Sequence, residues 1–409
     1  MDLFEKFTAS ADDPLVQLSH DVHGLATFPK LTGDIGREMH YGGRPHLVWS
    51  LNNYLGLANH PEVRAADAEF ARRYGLATPM GSRMMSGETD ELENLERELA
   101  AYARKPAAVF FNYGYQGMVS LIDALVTRSD WIAYDAQCHA CIIDGVRLHQ
   151  GRGRTRAFAH NDVDRLSARL AQIQRKRRAD EALLVITDGV YGMSGAQAPL
   201  RDIIALKERY EFRLLVDDAH GFGVLGPDGG GTGEAQGIQD GIDLYFGTFA
   251  KAGASLGAFV ATAEDVAWKL RYAVRSQIFA KGLPLPIVAG NRVRLRLMRT
   301  RPELRRRAWS VATALQRALR DEGMDIGDTA SLITPVFLPM SPMRSVEYTA
   351  RMRAEHGVFC SSVTYPVVPA GVTQLRLIAT ADHELADVPR TVRAITAAYA
   401  DTVGAAASP

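Results

Sequence analysis

The stretch FGTFAKAGASLGAF, residues 246–259, holds one charged residue, Lys251, among small and apolar neighbours. Such surroundings solvate an ammonium group poorly, and a buried lysine responds by lowering its pKa. The uncharged amine is a nucleophile that can form a Schiff base. A surface lysine on a Gly/Ala-rich loop would look the same from this stretch alone, so the rest of the chain must decide. Upstream, LLVDDAH places Asp217 at the end of an apolar run with His220 in the following turn, and Thr248 ends the apolar run before Lys251.

A Schiff-base lysine, a carboxylate that keeps a pyridine nitrogen protonated, and a phosphate cradle are the parts of a pyridoxal 5′-phosphate site. The carboxylate matters because the pyridinium is the form that accepts electrons from a carbanion. The cradle is visible in FFNYGYQGMVSLIDAL, which passes from a strand through Gly114 into an apolar-periodic helix. The amino end of such a helix offers free N–H groups and a positive dipole end. Tyr115 falls in its first turn.

Other motifs carry less. GFGVLG (221–226) fits G-x-G-x-x-G, but a dinucleotide fingerprint must open a helix, and PDGGGTGEAQG follows instead. CHAC (138–141) lacks the further ligands of a zinc site and the setting of a redox pair. Its central His139 follows a strand that ends at Asp135, which puts it at the mouth of a sheet. The arginines between 292 and 307 have no interleaved aromatic residues, so a solvated helix face is favoured over a phosphate patch.

These residues need a frame. Short apolar runs (AAVFF, WIAYD, ALLVITD, RLLVDD ending at Asp218, DLYFGTF) alternate with helix-period segments such as ELENLERELAAYA. That alternation predicts an α/β fold with a mostly parallel sheet covered on both faces. Ligands then bind at the carboxyl ends of the strands, where Asp135, Asp188 and Asp217 fall. We expect an N-terminal arm over 1–48, a large domain over 49–287, and a smaller C-terminal α+β domain over 288–409. The last opens on one long helical segment, IVAGNRVRLRLMRTRPELRRRAWSVATALQRALRDEG, and continues with ITPVFLP, GVFCSSV and LRLIAT as strands.

A chain of 409 residues, 47% hydrophobic, can bury a large core. Its 47 basic and 47 acidic residues cancel, which gives no field favouring nucleic acid or anionic membranes. No apolar run reaches bilayer length, the start MDLFEKFTASADDPL has no leader pattern, and three cysteines suit a reducing compartment. The expectation is a cytoplasmic enzyme without a metal site, with peripheral membrane contact left open.

Taken in order, MGSRMMSGET, NYGYQG, DAQCHACIIDG, HND, TDGVYGM, VDDAHGFGVLG, GTFAKA and YPVVPAGVTQLRL resemble the α-oxoamine synthase family, from about Leu51 to His383. These fold-type I pyridoxal phosphate enzymes carry a seven-stranded, mostly parallel sheet and condense an amino acid with an acyl thioester, with decarboxylation, to a 2-amino ketone. GTFAKAGASLGAFVA and GDTASLITPVFL are most similar to serine palmitoyltransferases, which implies serine and a long-chain acyl-CoA. NNYLGLANHP and YPVVPAG are equally similar to 2-amino-3-ketobutyrate CoA ligases. Glycine, alanine or cysteate as the amino acid, an acyl carrier protein as donor, an aminotransferase or aldolase, and a non-catalytic partner subunit stay as alternatives.

The resemblance implies that Lys251 is the Schiff-base lysine and Asp217 the partner of the pyridine nitrogen. It implies that His220 bonds the cofactor's phenolic oxygen, that His139 stacks on its ring, and that Thr248, Gly114 and Tyr115 hold its phosphate. Arg376 matches the arginine that takes the substrate carboxylate, and Asn53 an asparagine at the substrate end of the pocket. A homodimer with a shared site is implied too. The chain departs from the family at GMSGA (192–196), at Leu92 and at IFAKGLPLP. In the last, Lys281 stands near where relatives carry a hydroxyl for the partner's cofactor phosphate, so we expect Lys281 to meet that phosphate or an anionic part of the substrate.

Overall fold

The apolar runs become strands because both of their faces can be buried. The computed structural model describes residues 1–9, 22–151 and 153–404, so residues 10–21 of the expected arm lie outside the described residues. Seven strands form the principal sheet: β1 (Ala107–Phe111), β2 (Trp131–Asp135), β3 (Thr155–Phe158), β4 (Leu183–Asp188), β5 (Arg213–Asp217), β6 (Leu244–Thr248) and β7 (Ala258–Thr262). Their spatial order is β1-β7-β6-β5-β4-β2-β3. All pairs are parallel except those of β7, which runs antiparallel to both β1 and β6. Strands β4, β6 and β7 are buried at every position, as a sheet covered on both faces requires. The architecture is the expected α/β fold with a mostly parallel seven-stranded sheet. β5 stops at Asp217, one residue before the expected end.

Two helices begin at candidate site residues: α1 (Gly114–Leu125) at Gly114, and α2 (Ala140–Arg147) directly after His139. Met118, Leu121 and Ile122 of α1 and Ile142 and Val146 of α2 join Val109, Phe111, Ile186 and Phe246 of the strands in one buried cluster. GFGVLG forms turns rather than a helix start, with Gly223 at φ 84° and Gly226 at φ 82°.

One correction concerns the long helical segment. It is two helices, Leu285–Thr300 and Pro302–Asp321, separated at Arg301 (φ −121°, ψ 61°). Proline at 302 has no N–H to continue the first helix and drives the preceding residue out of the α region. The arginines of this region divide: Arg296, Arg299, Arg301, Arg306 and Arg307 are exposed, as a solvated face requires, while Arg292 is half-buried and Arg294 and Arg305 are buried. Arg292 pairs with Glu91 and Glu98, Arg294 with Asp67, and Arg296 and Arg301 with Glu62, so they clamp the helices Pro61–Tyr74 and Asp90–Tyr102.

The chain divides into two compact units. The larger comprises Asn52–Gly192 and Ala196–Arg305 and contains the seven-stranded sheet; the other gathers Met1–Leu51, Met193–Gly195 and Arg306–Pro409. In the second, Glu38–Tyr41 and Arg44–Val48 form a hairpin through Gly42 and Gly43, both with positive φ, as a two-residue turn demands. Val358–Phe359 adds to that hairpin in parallel, and Ile333–Phe337, Gln374–Ile378 and Ser361–Val363 form a three-stranded antiparallel sheet. Among the described residues no helix is long and apolar enough to cross a membrane.

Candidate active site

The reversed strand β7 lets β1 and β6 point the same way as β5, β4, β2 and β3, and five of these six strands deliver their carboxyl ends beside a candidate residue. Asp135, Asp188, Asp217 and Thr248 end four of them, and Gly114 follows the fifth. Asp188 and Asp217 are register partners on neighbouring strands. These five positions therefore meet, in the larger unit, because strand ends are where the backbone ladder stops and side chains are free to face a ligand.

Lys251 lies in the turn after β6, half-buried, with Nζ 2.7 Å from His220 Nε2. The other nitrogen of His220, Nδ1, stands 2.7 Å from the hydroxyl of Tyr54. Asp217 is buried, and its Oδ1 accepts the Ala219 N–H at 3.1 Å. Burial pushes the Asp217 carboxyl above the usual carboxylate range, while His139, the Ala219 N–H and Lys251 act against that shift. Asp188 is driven up by its own burial and then by the charge of Asp217. Among the described residues neither carboxyl forms an ion pair, so the pair has room for one positive charge at the end of β5.

His139 caps α2, its Nδ1 accepting the Cys141 N–H at 3.3 Å. The Cys141 sulfur sits 2.9 Å from the same nitrogen and 3.8 Å from Asp217 Oδ2, linking the histidine to the carboxylate. Desolvation holds His139 below the ordinary imidazole range, Asp217 opposes this, and Lys251 adds to it. The ring is thus kept neutral. Burial raises the thiols of Cys138 and Cys141, which removes them as thiolates.

At the other end, Tyr113 stands at the N-cap of α1 without a side-chain hydrogen bond, so its own side chain leaves the first-turn amides open. A Cβ on Gly114 would lie 3.6 Å from Thr248 Oγ1, which brings that turn against β6. Thr248 Oγ1 donates to Gly257 O at 2.9 Å and accepts the Ala250 N–H at 3.1 Å. Tyr115 is exposed and its hydroxyl donates to Asp144, so its backbone rather than its phenol is available to an anion. These residues fit pyridoxal 5′-phosphate: an amine, a buried carboxylate lacking a cation, a neutral imidazole, and a helix start open to an anion.

The remaining three residues differ in placement. Asn53 is buried and its Oδ1 accepts the Ala58 N–H at 3.1 Å, which ties it to the short 3-10 helix Leu57–Asn59. Lys281 is exposed, with its carbonyl bonded by Asn112 Nδ2 at 2.7 Å and its Nζ 3.7 Å from Met80 Sδ. Arg376 lies in the strand Gln374–Ile378 of the second unit, half-buried and paired in register with Pro335 and Ser361. Sequence reasoning missed Tyr54 and Cys141 as neighbours of the site. Both stand inside recognisable motifs, NNYLGLANHP and CHAC, one residue from Asn53 and two from His139.

The chain matches the aminotransferase class I and II family over residues 44–395. It is 49% identical over 397 residues to the cysteate-C-fatty acyltransferase of Capnocytophaga ochracea, covering 97% of this chain and 94% of that protein. With the 8-amino-7-oxononanoate synthase of Citrifermentans bemidjiense it shares 35% identity over 360 residues, 88% of this chain and 90% of that one. Among solved structures, serine palmitoyltransferase from S. paucimobilis with bound PLP aligns with a TM-score of 0.89 at 30% identity, covering 99% of this chain and 100% of that one.

Proposed function

The chain belongs to the aminotransferase class I and II family, and from that premise we propose that it is a pyridoxal 5′-phosphate-dependent C-acyltransferase of the α-oxoamine synthase type. Its substrates are an amino acid and a fatty acyl thioester, and its products a 2-amino ketone, carbon dioxide and a free thiol. The observation that carries this reading is the near full-length, 49% identical relative named as a cysteate-C-fatty acyltransferase. That relative moves cysteate ahead of serine as the first candidate amino acid. Serine, favoured by the sequence motifs, keeps the support of the aligned serine palmitoyltransferase structure.

When bound, the cofactor supplies an electron sink for negative charge at the amino acid's Cα. Lys251 would be the covalent attachment and, as a free amine, the base for the Cα proton. Asp217 would hold the proton on the ring nitrogen, its buried carboxylate gaining a cationic partner in direct contact. His139, kept neutral, would stack on the ring. His220 would turn Nε2 to the phenolic oxygen while Lys251 is held in the attachment, and back to Lys251 when that amine is free. The α1 amides, Thr248 and the turn at Gly114 and Tyr115 take the phosphate. Arg376 binds the substrate carboxylate, Asn53 lines the substrate end, and Lys281 meets an anionic substituent such as a sulfonate across a homodimer boundary. Exposed Met80, Met84, Met85, Tyr113 and Phe279, on the same segments as Lys281 or bonded neighbours of them, support that boundary.

The test uses the purified, cofactor-loaded protein. Borohydride reduction followed by peptide mapping should place the adduct on Lys251. With a long-chain acyl-CoA, thiol release should be fastest with L-cysteate and slower with L-serine, L-alanine and glycine, and mass spectrometry should find the decarboxylated ketone. A serine preference would overturn the choice of amino acid. Amino-group transfer to a keto acid without thiol release would overturn the acyl chemistry.

A further inference from the structure

We propose that Tyr54 is a positioning residue for proton movement at Lys251, acting through His220. The inference rests on the reading of Lys251 as the base at Cα. The three side chains form one hydrogen-bonded row: Tyr54 Oη to His220 Nδ1 at 2.7 Å and His220 Nε2 to Lys251 Nζ at 2.7 Å. Tyr54 is 1% exposed and His220 7%. In such surroundings the direction of each hydrogen bond is costly to get wrong.

A neutral imidazole carries its hydrogen on one nitrogen and offers the other as acceptor. When Lys251 is an ammonium ion, Nζ donates to Nε2, and Nδ1–H must then donate to the Tyr54 oxygen. When Lys251 is a neutral amine, Nε2–H can donate to it, and Nδ1 must then accept from the Tyr54 hydroxyl. A phenol can do either, because it holds one hydrogen and free lone pairs on the same oxygen. Tyr54 therefore supports both tautomers of His220, and with them both protonation states of Lys251. A phenylalanine supports neither. A carboxylate would favour one permanently.

The ring is held where this can work. Tyr54 meets the His220 ring edge-on, with centroids 6.1 Å apart. On the Lys251 side, a Cβ on Gly192 would lie 2.5 Å from His220 Nε2, so the imidazole occupies space that a side chain at 192 would claim. Tyr54 itself is fixed by the chain turn that follows it, where Gly56 N–H bonds Asn53 O at 2.9 Å and Ala58 N–H bonds Asn53 Oδ1 at 3.1 Å. The turn in NNYLGL, set by Gly56 at φ 68°, aims the phenol at the histidine.

The experiment compares wild type, Tyr54→Phe and a protein with 3-fluorotyrosine introduced at position 54, each loaded with cofactor. Three quantities are read: attachment to Lys251 by borohydride mapping, the pH midpoint of the bound cofactor's absorption change, and solvent deuterium exchange at Cα of L-cysteate without acyl donor. Tyr54→Phe should keep attachment and the cysteate KM, yet slow exchange by about ten- to hundredfold, the cost of an unsatisfied buried imidazole nitrogen. Its absorption midpoint should move. Fluorotyrosine, which keeps the shape and acidifies the hydroxyl, should also move the midpoint and shift the pH profile of exchange; it carries the test if Tyr54→Phe fails to fold. Unchanged midpoint and exchange profile in the fluorotyrosine protein overturn the role of Tyr54. Absence of exchange in wild type, or an adduct on another lysine, overturns instead the reading of Lys251 on which it rests.

Discussion

Asp218 is fully buried, yet three hydrogen bonds converge on it: Thr232 N–H and Oγ1 at 2.7 and 2.6 Å, and the Tyr245 hydroxyl at 3.0 Å. Burial outweighs them and pushes its carboxyl up to about 7, with Asp217 adding its charge. The folded state therefore binds a proton that the unfolded chain releases near pH 4. That stabilisation is complete below about pH 4 and is lost as pH rises to about 7, by up to about 1.4 kcal/mol per pH unit. Asp218→Asn should remove the slope and still fold, because its carbonyl can accept from Thr232 N–H and Tyr245 while its amide donates to Thr232 Oγ1. Urea midpoints from pH 4 to 8 should show wild type losing ground to the variant as pH rises; a constant difference would reject the assignment. The two carboxyls of VDDAH look alike in the sequence. Only strand register, which pairs Asp217 with Asp188, separates the one at the site from the one that locks a turn. Tyr54 was hidden for the same reason, since nothing local announces a partner as distant in the chain as His220.

At the scale of elements, the start of α1 is placed by Gly117. A Cβ there would lie 2.8 Å from Cγ and 2.9 Å from Cβ of Phe111, a ring 1% exposed and stacked on Phe246. The ring has nowhere to go, so Gly117→Ala must lift the helix start that carries Gly114 and Tyr115. We expect a loss of about 1–3 kcal/mol of stability, typical of overpacking, together with weaker cofactor retention. Gly145→Ala, whose nearest neighbour is the flexible end of Ile122 at 2.8 Å, should cost less and leave cofactor affinity alone. Equal cofactor affinity in wild type and Gly117→Ala would show that the helix start does not hold the phosphate. Most strands were legible because a sheet buried on both faces needs continuous apolar runs. The reversal of β7 was not, since a fully buried strand shows no alternation from which direction or pairing could be read. The break before Pro302 was legible in principle, because proline announces it; the apolar periodicity running through both helices masked it.

At the scale of the whole molecule, the composition leaves a surface that a monomer would not be expected to keep. Met80, Met85 and Phe279 are 77%, 81% and 73% exposed, and Lys281 lies against the first of them. Exposed apolar residues grouped in this way mark interaction surfaces, and a symmetric pair of chains would bury them twice over. The solution mass should then be twice the 44.7 kDa of one chain. Whether Lys281 serves its own site or that of the second copy can be read from mixed dimers. Chains bearing Lys251→Ala and Lys281→Ala, carrying different tags, are co-expressed and the heterodimer is isolated. If Lys281 acts across the boundary, one site in the heterodimer has both lysines and the other has neither, so activity should be about half that of wild type by symmetry. If Lys281 acts within its own chain, every site lacks one lysine, and activity can be no higher than half that of the Lys281→Ala homodimer. A Lys281→Ala homodimer with wild-type kinetics toward L-cysteate would remove Lys281 from the site altogether, whichever chain it faces.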